Sequence, residues 1–482
     1  MQSKPTYSLQ KLLSLEDDDK LLLYYCSGTT LPAWSLIRVQ FFRTIMSELL
    51  YTSGAQFGSG KRPAYLELIK ILVRSQYHNI VECPAHDSNI CFFTTGLGNY
   101  ERNGVAQDRL VSYFADCHPS SHLIYQNHGG WRWRSNQKSK SILYAAPFNI
   151  FSQIMGRISV NAGHKNLATE VICLAAGNVK TRLDYTISEQ KIEALVKTLS
   201  IQLAMFPIVT DYYSNWLAKR KVKLLFKEDA CYGASSVAII YAAKKGGVIT
   251  AEYQHGAISK GHDGYNVAPA LVKNIQYRQT LPDYLLTYGA WWSQQTNMPL
   301  KKVSIGNPHF TESSKRISHI PERKNQVLVL GDGVETEMYL KLASKVAKLH
   351  ASGDVSVIFR PHPLEWDIVK SLKLPYGVDL DSNSDIYESF RQSSMVISEL
   401  STGLFEAAGI VKNVLLWKTD KSKFAFPDLP FPSFSTMQEL EEHLQMDDNS
   451  SKHSLFSIEP DDLWAPNWEL NYRHFVDSVL SI

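Results

Sequence analysis

The sequence lacks the marks of several protein classes. No apolar run approaches the ~20 residues that cross a membrane, and no CxxC pair occurs among the six cysteines. The N-terminal segment has no signal-peptide core, and no internal repeat is present. A formal net charge of +3 provides no general attraction for nucleic acid. These absences predict a soluble, cytoplasmic protein with free thiols, without a zinc site or a disulfide scaffold.

The length of the chain and its alternating patterns predict the fold class. At 482 residues, the chain is too long for one ordinary core. Strand-like apolar runs alternate with helical patterns, which favours parallel, helix-flanked sheets. We therefore expect an α/β fold with two Rossmann-like domains facing each other across a cleft. The expected domains are residues 1–315 and 326–460, and a C-terminal helix in residues 461–482 is expected to pack back across the boundary.

Several local patterns give further expectations. Residues 20–26 are apolar enough to predict a first strand, and residues 107–115 have helical spacing. Pro207 predicts a kink or break in the long apolar segment around it. Residues 311–325 are polar and charged, which is typical of a linker. The glycine-rich residues 259–266 predict a mobile loop over the edge of the first sheet.

Two strand ends in the second domain carry polar motifs. One apolar run ends in Arg360-Pro361-His362-Pro363, and a second ends in Ser398-Glu399-Leu400-Ser401-Thr402-Gly403 before a helix. Ligands of open parallel sheets lie at this edge, and a helix start favours phosphate. We therefore predict that His362, Ser401 and Thr402 bind a nucleotide phosphate. The open alternatives are a proline-stiffened loop histidine and a helix N-cap.

Four more residues belong to the predicted nucleotide site. Gly333 lies in a glycine-rich first turn that approaches the nucleotide, and Pro363 follows the candidate histidine. Arg360 adds positive charge or forms a strand-end ion pair. Glu406 binds the ribose hydroxyls or complements the helix dipole.

The first domain supplies candidates for a catalytic base. Its most regular βαβ unit has one strand ending in Glu228-Asp229 and the next ending in Gln254-His255-Gly256. These groups therefore meet at one sheet edge. His255 titrates near neutral pH and is the preferred base, with Glu228 and Asp229 as the other candidates. A hydrogen-bonded structural histidine and helix-capping carboxylates are the alternatives. The weaker candidates for acceptor contacts are Gly98, Asn99, His128 and Asp263.

A small basic-aromatic cluster lies in the first domain. It consists of Trp131-Arg132-Trp133-Arg134 with Lys138 and Lys140. Such a cluster is either a solvated surface loop or a contact for an anionic acceptor or lipid headgroups. A peripheral contact with the inner face of the cytoplasmic membrane is therefore among the expected interactions.

The motifs together resemble a known group of enzymes. The pair FRPHP and SELSTGLFEA resembles the HP and Ser/Thr motifs of bacterial sialyl-, polysialyl- and Kdo transferases. The QHG strand end and PDYLLTYG…VSIGNP are similar to surface-polysaccharide enzymes more broadly, including CDP-glycerol glycerophosphotransferases. The resemblance covers about residues 222–408. It implies a GT-B glycosyltransferase that moves a sugar from CMP-Kdo or CMP-sialic acid to a growing capsule or lipopolysaccharide glycan.

The sequence departs from the sialyltransferase pattern at one motif, and other functions remain as alternatives. Sialyltransferases of this kind carry an acidic-acidic-glycine motif, whereas Glu228-Asp229-Ala230 lacks the glycine. A CDP-glycerol or CDP-ribitol polyol-phosphate transferase, with His255 and His362 flanking the phosphoryl group, is the main alternative. A non-catalytic glycan-assembly subunit of the same fold is another. A sugar-nucleotide 2-epimerase shares the architecture, but its characteristic acidic residues have no counterpart that we can place in this sequence.

No metal or other cofactor is expected, because no DxD motif lies at a strand end suited to a divalent ion. Asp379-Leu380-Asp381 has this spacing, but it precedes a short loop and indicates a turn.

Overall fold

The computed structural model of the chain describes residues 7–50, 65–83, 87–134, 136–320, 325–349, 355–363, 365–445 and 458–480. In these ranges two parallel sheets are flanked by helices. The strands of the first half are β1 (Ile90–Thr94), β2 (Asn99–Arg102), β3 (Val105–Asp108), β4 (His122–Gln126), β5 (Ile142–Tyr144), β6 (Leu224–Lys227), β7 (Ile249–Tyr253), β8 (Tyr284–Thr287) and β9 (Lys301–Ser304).

The first sheet has a Rossmann-like strand order. Its seven parallel strands follow the order β5-β4-β1-β6-β7-β8-β9, while β2 and β3 form a separate antiparallel hairpin. Both β1 and β4 are buried along their whole length, as expected where helices cover both faces of a parallel sheet. The chain reverses its direction of strand addition between β1 and β6. In such sheets this switch point is where ligands bind.

Twelve helices are described in the first half. They are α1 (Leu9–Leu13), α2 (Trp34–Leu49), α3 (Tyr65–Tyr77), α4 (Val111–Asp116), α5 (Ala146–Ile158), α6 (Ala162–Leu183), α7 (Glu189–Lys219), α8 (Ser235–Lys245), α9 (Pro269–Lys273), α10 (Ile275–Arg278), α11 (Ala290–Gln294) and α12 (Pro308–Ile317). A π-turn over His78–Glu82 follows α3 directly.

The second sheet repeats the same topology. Its strands are β10 (Gln326–Leu330), β11 (Ser356–Arg360), β12 (Val378–Leu380), β13 (Met395–Ser398), β14 (Asn413–Trp417) and β15 (Ser433–Phe434). They are parallel in the order β12-β11-β10-β13-β14-β15, so the switch point lies between β10 and β13. The helices are α13 (Thr336–Leu349), α14 (Trp366–Val369), α15 (Ile386–Arg391), α16 (Gly403–Ala408), α17 (Asp420–Ala425) and α18 (Met437–Gln445).

The last two helices return to the first sheet. They are α19 (Pro460–Leu463) and α20 (Trp468–Leu480). The ring of Tyr472 stacks on Phe114 at 4.6 Å, and Phe475 lies 5.1 Å from Tyr284. The predicted fold class is therefore confirmed, including a C-terminal helix that crosses back. The domain limits remain predictions, and residues 446–457, which precede the predicted boundary at residue 460, lie outside the described ranges.

Two of the local predictions are wrong because their signals are ambiguous. Residues 20–26 contain a 3₁₀ turn rather than a strand, with the Asp18 carboxylate accepting from the amide of Lys20 at 3.1 Å. A short apolar run cannot by itself distinguish a strand from another buried segment. The predicted linker begins inside α12, where Asn307 caps the helix and Pro308 occupies its first turn. This cap followed by proline is a standard helix start.

Packing contradicts the single helix predicted over residues 107–115 and the predicted break at Pro207, while a kink at Pro207 stays a prediction. Residues 107–115 form the end of β3 and the short α4 rather than one helix. Helix α7 continues through Pro207, which removes one backbone hydrogen bond. Buried side chains on both sides, such as Phe206 and Val209, hold the helix there.

Helix α7 has the length and composition of a membrane-spanning helix. Among the described residues it is the one helix long and apolar enough to span a membrane by length and composition, and 44% of its most apolar window is buried. Its Trp216 packs against Phe93 of β1 at 5.5 Å and against Tyr125 of β4 at 5.1 Å. These contacts are those of a helix that covers one face of the first sheet.

Candidate active site

The carboxyl edges of the two sheets meet across a cleft. The amide of Ala257, just after β7, donates to Oγ1 of Thr402 at the start of α16 at 3.0 Å. Nearby, the amide of Gly261 donates to the carbonyl of Ala425 at 3.2 Å. The loop over residues 259–266 therefore packs against the second half of the chain. These contacts bring the carboxyl edges of the two sheets face to face.

His255 and Asp229 form a close pair at the edge of the first sheet. They follow the neighbouring strands β7 and β6, and Nε2 of His255 lies 2.9 Å from Oδ1 of Asp229. Asp229 has a left-handed backbone, with φ of 59°, which suits the tight turn after β6. Because both strands are fixed in one sheet, the pair is held in place before any ligand arrives.

The pair has strongly shifted titration behaviour. Burial lowers the pKa of His255, but the Asp229 carboxylate, followed by Glu228, outweighs it and raises the pKa to about 9. For Asp229, burial raises the pKa and the His255 imidazole more than offsets this, so the pKa falls. The resting pair is therefore an imidazolium facing a carboxylate at neutral pH.

The two ring nitrogens of His255 have different surroundings. Within the described part of the chain, Nδ1 of His255 is buried and has no hydrogen-bond partner. Nε2 is taken by Asp229. A carboxylate on one nitrogen fixes the tautomer and orientation of the ring and leaves the other nitrogen for proton transfer.

The carboxylate of Glu228 accepts hydrogen bonds from residues at the end of β1, next to the switch point. Its Oε2 accepts from Oγ1 of Thr94 at 2.8 Å and from the amide of Thr95 at 2.6 Å. Burial, and then the nearby Asp108 carboxylate, raise the pKa of Glu228. These bonds tie β6 to β1. They favour a structural role for Glu228 over the role of base.

Two groups of acidic side chains have the spacing of metal ligands, as far as the described residues go. Asp229, Glu252 and His255 offer ligand atoms within 4.8 Å of one another. The sequence analysis did not select Glu252, which is fully buried and accepts from the amide of Cys231 and the hydroxyl of Tyr265.

The other group is Asp332, Glu335 and Glu399. The buried ammonium of Lys421 contacts all three, at 3.2 Å from Asp332 and 2.8 Å from Glu399. A protein cation therefore already lies among these three carboxylates and balances one of their charges. Independence from metal stays a prediction for both groups.

Arg109 is a cleft residue that the sequence analysis missed. Its guanidinium donates to the carbonyl oxygen of His255. In the second half of the chain, burial lowers the pKa of His362 and the Arg109 charge adds to this shift, whereas burial raises the pKa of Glu406 and the Arg109 charge opposes it. Arg109 is therefore a cation of the first half that acts on residues from both sides of the cleft.

A turn signal in the sequence could have located Arg109. Asn103 and Gly104 both have positive φ and join β2 to β3 as a two-residue hairpin turn. Asn-Gly between strand-like residues is the strongest short hairpin signal. The hairpin returns the chain to Asp108, whose carboxylate accepts from the amides of Leu110 and Val111 at 2.9 Å. Arg109 is thereby presented at the cleft.

The structure brings Gly333 and His362 together at the second switch point. Gly333 has φ of 87°, and a Cβ placed on it would lie 2.8 Å from Nδ1 of His362. The amide of His362 donates to Glu365 at 2.9 Å, and Pro363 follows as an exposed residue. Burial lowers the pKa of His362, which favours a neutral imidazole.

Ser401, Thr402 and Glu406 lie on the facing side of the same sheet edge. Oγ of Ser401 accepts from the amide of Gly403 at 3.1 Å, while Thr402 bridges to Ala257. Burial raises the pKa of Glu406 to about 7, although Arg109 opposes the shift. The Glu406 carboxyl therefore lies within the influence of the Arg109 charge.

Arg360 points towards the outer strands of its sheet. Its guanidinium lies 2.6 Å from the carboxylate of Asp381 and also bonds Asn383, Ser384 and Ser389. Asp381 in turn accepts from the amide of Asn383 at 3.0 Å, as in an Asx turn. The geometry favours the strand-end ion pair as the role of Arg360.

The four weaker acceptor candidates are spread over the first half. Gly98 packs on the Asp108 carboxylate, and Oδ1 of Asn99 is buried and, in the described chain, has no partner. The imidazole of His128 bonds the Ser75 hydroxyl at 2.8 Å and stacks on a tyrosine. Asp263 is buried and pairs with Arg43 at 3.2 Å. The contacts of His128 and Asp263 are those of packing residues, so Asn99 is the candidate with unused hydrogen-bonding capacity.

No protein-family model and no curated protein matches the chain. Several solved structures are similar in fold. The UDP-GlcNAc 2-epimerase from Neisseria meningitidis is 11% identical, with a TM-score of 0.42 over 82% of this chain and 99% of that one. The 2-epimerase from Methanocaldococcus jannaschii is 10% identical, with a TM-score of 0.43 over 81% and 99%. A variant of the wall teichoic acid polymerase TagF is 13% identical, with a TM-score of 0.44 over 86% and 96%. At these identities and scores, the likeness assigns no activity to this chain.

Proposed function

We propose that the chain is a cytoplasmic GT-B glycosyltransferase that uses a cytidine-activated donor, CMP-Kdo or CMP-sialic acid, and needs no metal. Its acceptor is a growing capsule or lipopolysaccharide glycan. One observation carries this proposal. The His255–Asp229 pair, with Nδ1 of His255 unpartnered in the described chain, lies beside the switch point of the first sheet, on the edge that meets the second sheet. A paired base and a phosphate site on opposite walls are what group transfer requires.

His255 acts as the general base in this mechanism. Its neutral form accepts the proton of the acceptor hydroxyl at Nδ1, and the resulting imidazolium is stabilised by Asp229. The acceptor oxygen forms its bond to the sugar as the bond to the CMP phosphate breaks. The raised pKa makes His255 a strong base that is mostly protonated at pH 7.

The departing CMP phosphate needs positive charge and hydrogen-bond donors. Arg109 supplies the charge, because it contacts the His255 carbonyl and its charge acts on His362 and Glu406 across the cleft. Ser401 and Thr402 each use their oxygen as an acceptor within the chain and keep a hydroxyl hydrogen to donate. Glu406 binds the ribose hydroxyls.

Transfer of a polyol phosphate from CDP-glycerol or CDP-ribitol is the second candidate function. The raised pKa of His255 favours it, because an imidazolium at pH 7 stabilises the charge on a transferred phosphoryl group. The acceptor oxygen then forms its bond to the phosphorus that carries the polyol, its proton passes to the Asp229 carboxylate, and CMP again leaves. A non-catalytic assembly subunit would bind nucleotide without any turnover.

The test is CMP release from a panel of donors. The protein is incubated with CMP-Kdo, CMP-sialic acid, CDP-glycerol or CDP-ribitol together with an extract of bacterial glycolipids as acceptor. We expect release from one donor class, which His255→Ala reduces ~10²–10⁴-fold. The exposed His474 provides the matched control as His474→Ala. Binding without release from any donor would leave only the assembly subunit and contradict both transferase functions.

A further inference from the structure

Helix α3 exposes a row of large apolar side chains. Leu66 is 70% exposed, Val73 65%, Tyr77 54% and, in the π-turn that follows, Ile80 63%. With Ile69 they recur every three or four residues, which places them on one face of the helix. A surface helix of a globular protein normally turns charged and polar residues outwards. Helix α3 instead buries one apolar face and exposes another.

The neighbouring helix α5 repeats this pattern. It packs against α3 and exposes Phe151, Ile154 and Ile158, by 53%, 49% and 72%. These residues have the same spacing of three and four. We call the exposed residues of the two helices the apolar face; it consists of Leu66, Ile69, Val73, Tyr77, Ile80, Phe151, Ile154 and Ile158. Concentrated exposure of this kind marks an interaction surface.

A basic and aromatic border adjoins the apolar face. The guanidinium of Arg74 on α3 lies 4.3 Å over the ring of Trp133, which belongs to the basic-aromatic cluster seen in the sequence. In that cluster Trp131 and Arg132 are exposed, and Arg157 is exposed on α5. Of the nearby acidic groups, Glu67 pairs with Lys70 at 2.7 Å and Glu82 pairs with His78 at 2.6 Å. In the described part of the chain both of these acidic groups have a basic partner, so Arg74 and Arg157 give the border positive charge.

We propose that the apolar face docks the protein on a membrane surface that contains anionic lipid. The apolar side chains enter the boundary between headgroups and acyl chains, the exposed Trp131 lies at headgroup level, and Arg74 and Arg157 face the phosphates. This combination is typical of helices that lie in the membrane plane. A second copy of the chain fits less well, because a two-fold contact would bring like charges together. The proposal does not depend on the activity of the cleft.

Co-sedimentation with vesicles tests the proposal on the full chain. Phosphatidylcholine vesicles with and without phosphatidylglycerol are compared at low and high salt. We expect the protein to sediment with the anionic vesicles, and added salt to weaken the binding. Val73→Glu combined with Tyr77→Glu should weaken the partition at least ~10-fold, because two apolar side chains no longer leave water. The matched control is Ile275→Glu, since Ile275 is 68% exposed elsewhere in the first half.

Reversing one charge of the basic border measures its contribution to vesicle binding separately from that of the apolar face. Arg157→Glu should weaken binding to anionic vesicles roughly fivefold or more and leave binding to neutral vesicles unchanged. Lys341→Glu, at an exposed lysine of α13, is its control. Wild-type protein that stays in the supernatant with both vesicle types would overturn the proposal. So would a dimer in solution that the Val73 and Tyr77 variant dissociates, since that result assigns the face to a second copy.

Discussion

Nε2 of His255 lies 2.9 Å from Oδ1 of Asp229, although the two residues are 26 positions apart in the sequence. The adjacent strands β6 and β7 bring them together and hold them. Their proximity couples the two charges, so the pKa of the imidazole rises to about 9 rather than staying near the 6.5 of free histidine. The pH dependence of any activity is therefore the clearest consequence of this pair.

The first prediction concerns the pH profile of the transfer reaction. If His255 is the base, kcat/KM rises with pH until about pH 9, because only the neutral imidazole accepts a proton. Asp229→Asn removes the carboxylate that raises the pKa, so the rise should move to lower pH. A rate that falls as the pH passes about 9 would instead assign His255 the role of a cation. A profile flat from pH 5 upwards would assign the base to a carboxylate.

The same pair gives a prediction for stability. A histidine with a raised pKa in the folded state stabilises the fold fully below its unfolded pKa of ~6.5, and this contribution is lost as the pH rises through about 9. The free energy of unfolding should therefore fall between these two values. His255→Gln should show a smaller fall over the same range. If the free energy of unfolding fell equally with pH in the wild type and in His255→Gln, the electrostatic coupling between His255 and Asp229 would be contradicted.

A second stability prediction concerns the buried ion pair of Glu16 and Arg38. The two side chains are almost fully buried and 2.7 Å apart, and Arg38 also donates to the carbonyls of Asp263 and Asn266. Glu16→Ala leaves the buried guanidinium uncompensated and should cost ~3–5 kcal/mol. Urea unfolding measures the loss. Glu67→Ala in the exposed pair with Lys70 is the control and should cost ~1 kcal/mol or less. Equal losses would refute the structural role of Glu16.

The substitution Gly261→Ala tests the contact between the two halves of the chain. A Cβ placed on Gly261 would overlap the carbonyl oxygen of Phe424, so Gly261→Ala must push the loop and α17 apart. We expect a loss of ~1–3 kcal/mol in thermal unfolding. Gly177→Ala is the control, because its added methyl group has no atom within 4 Å apart from the neighbouring residues and backbone of its own helix, and alanine favours the interior of α6. An unchanged melting temperature for Gly261→Ala would show that the halves do not meet there.

Much of this arrangement is predictable from the sequence because it depends on local signals. The strand ends at Glu228, His255, His362 and Ser401 follow clear apolar runs, and parallel strands bring their carboxyl ends to one edge. Arg109 was not predicted as a site residue, because the spacing of residues 107–115 indicates a helix there. The turn residues Asn103 and Gly104 indicate the hairpin that leads to Arg109. The partner of Arg360 is 21 positions away, and no local pattern indicates such an ion pair.

Chelation tests whether the candidate site works without metal. Activity should persist in EDTA, since the ammonium of Lys421 already lies among Asp332, Glu335 and Glu399, and His255 is protonated beside Asp229 at neutral pH. Residual activity is measured after dialysis against EDTA and again after magnesium is added back. Complete loss that magnesium restores would assign a metal to one of these groups.

Calorimetric titration with CMP tests the central claim most directly, because CMP is the product released from both the CMP-sugar and the CDP-polyol donors. The account predicts that CMP binds more tightly than UMP, and that His362→Ala and Arg109→Gln each weaken binding ~10-fold or more while His474→Ala does not. His255→Ala should leave CMP affinity nearly unchanged. A wild-type protein that does not bind CMP would contradict a nucleotide site between the two switch points. The same conclusion would follow if His362→Ala and Arg109→Gln both bound CMP as tightly as the wild type.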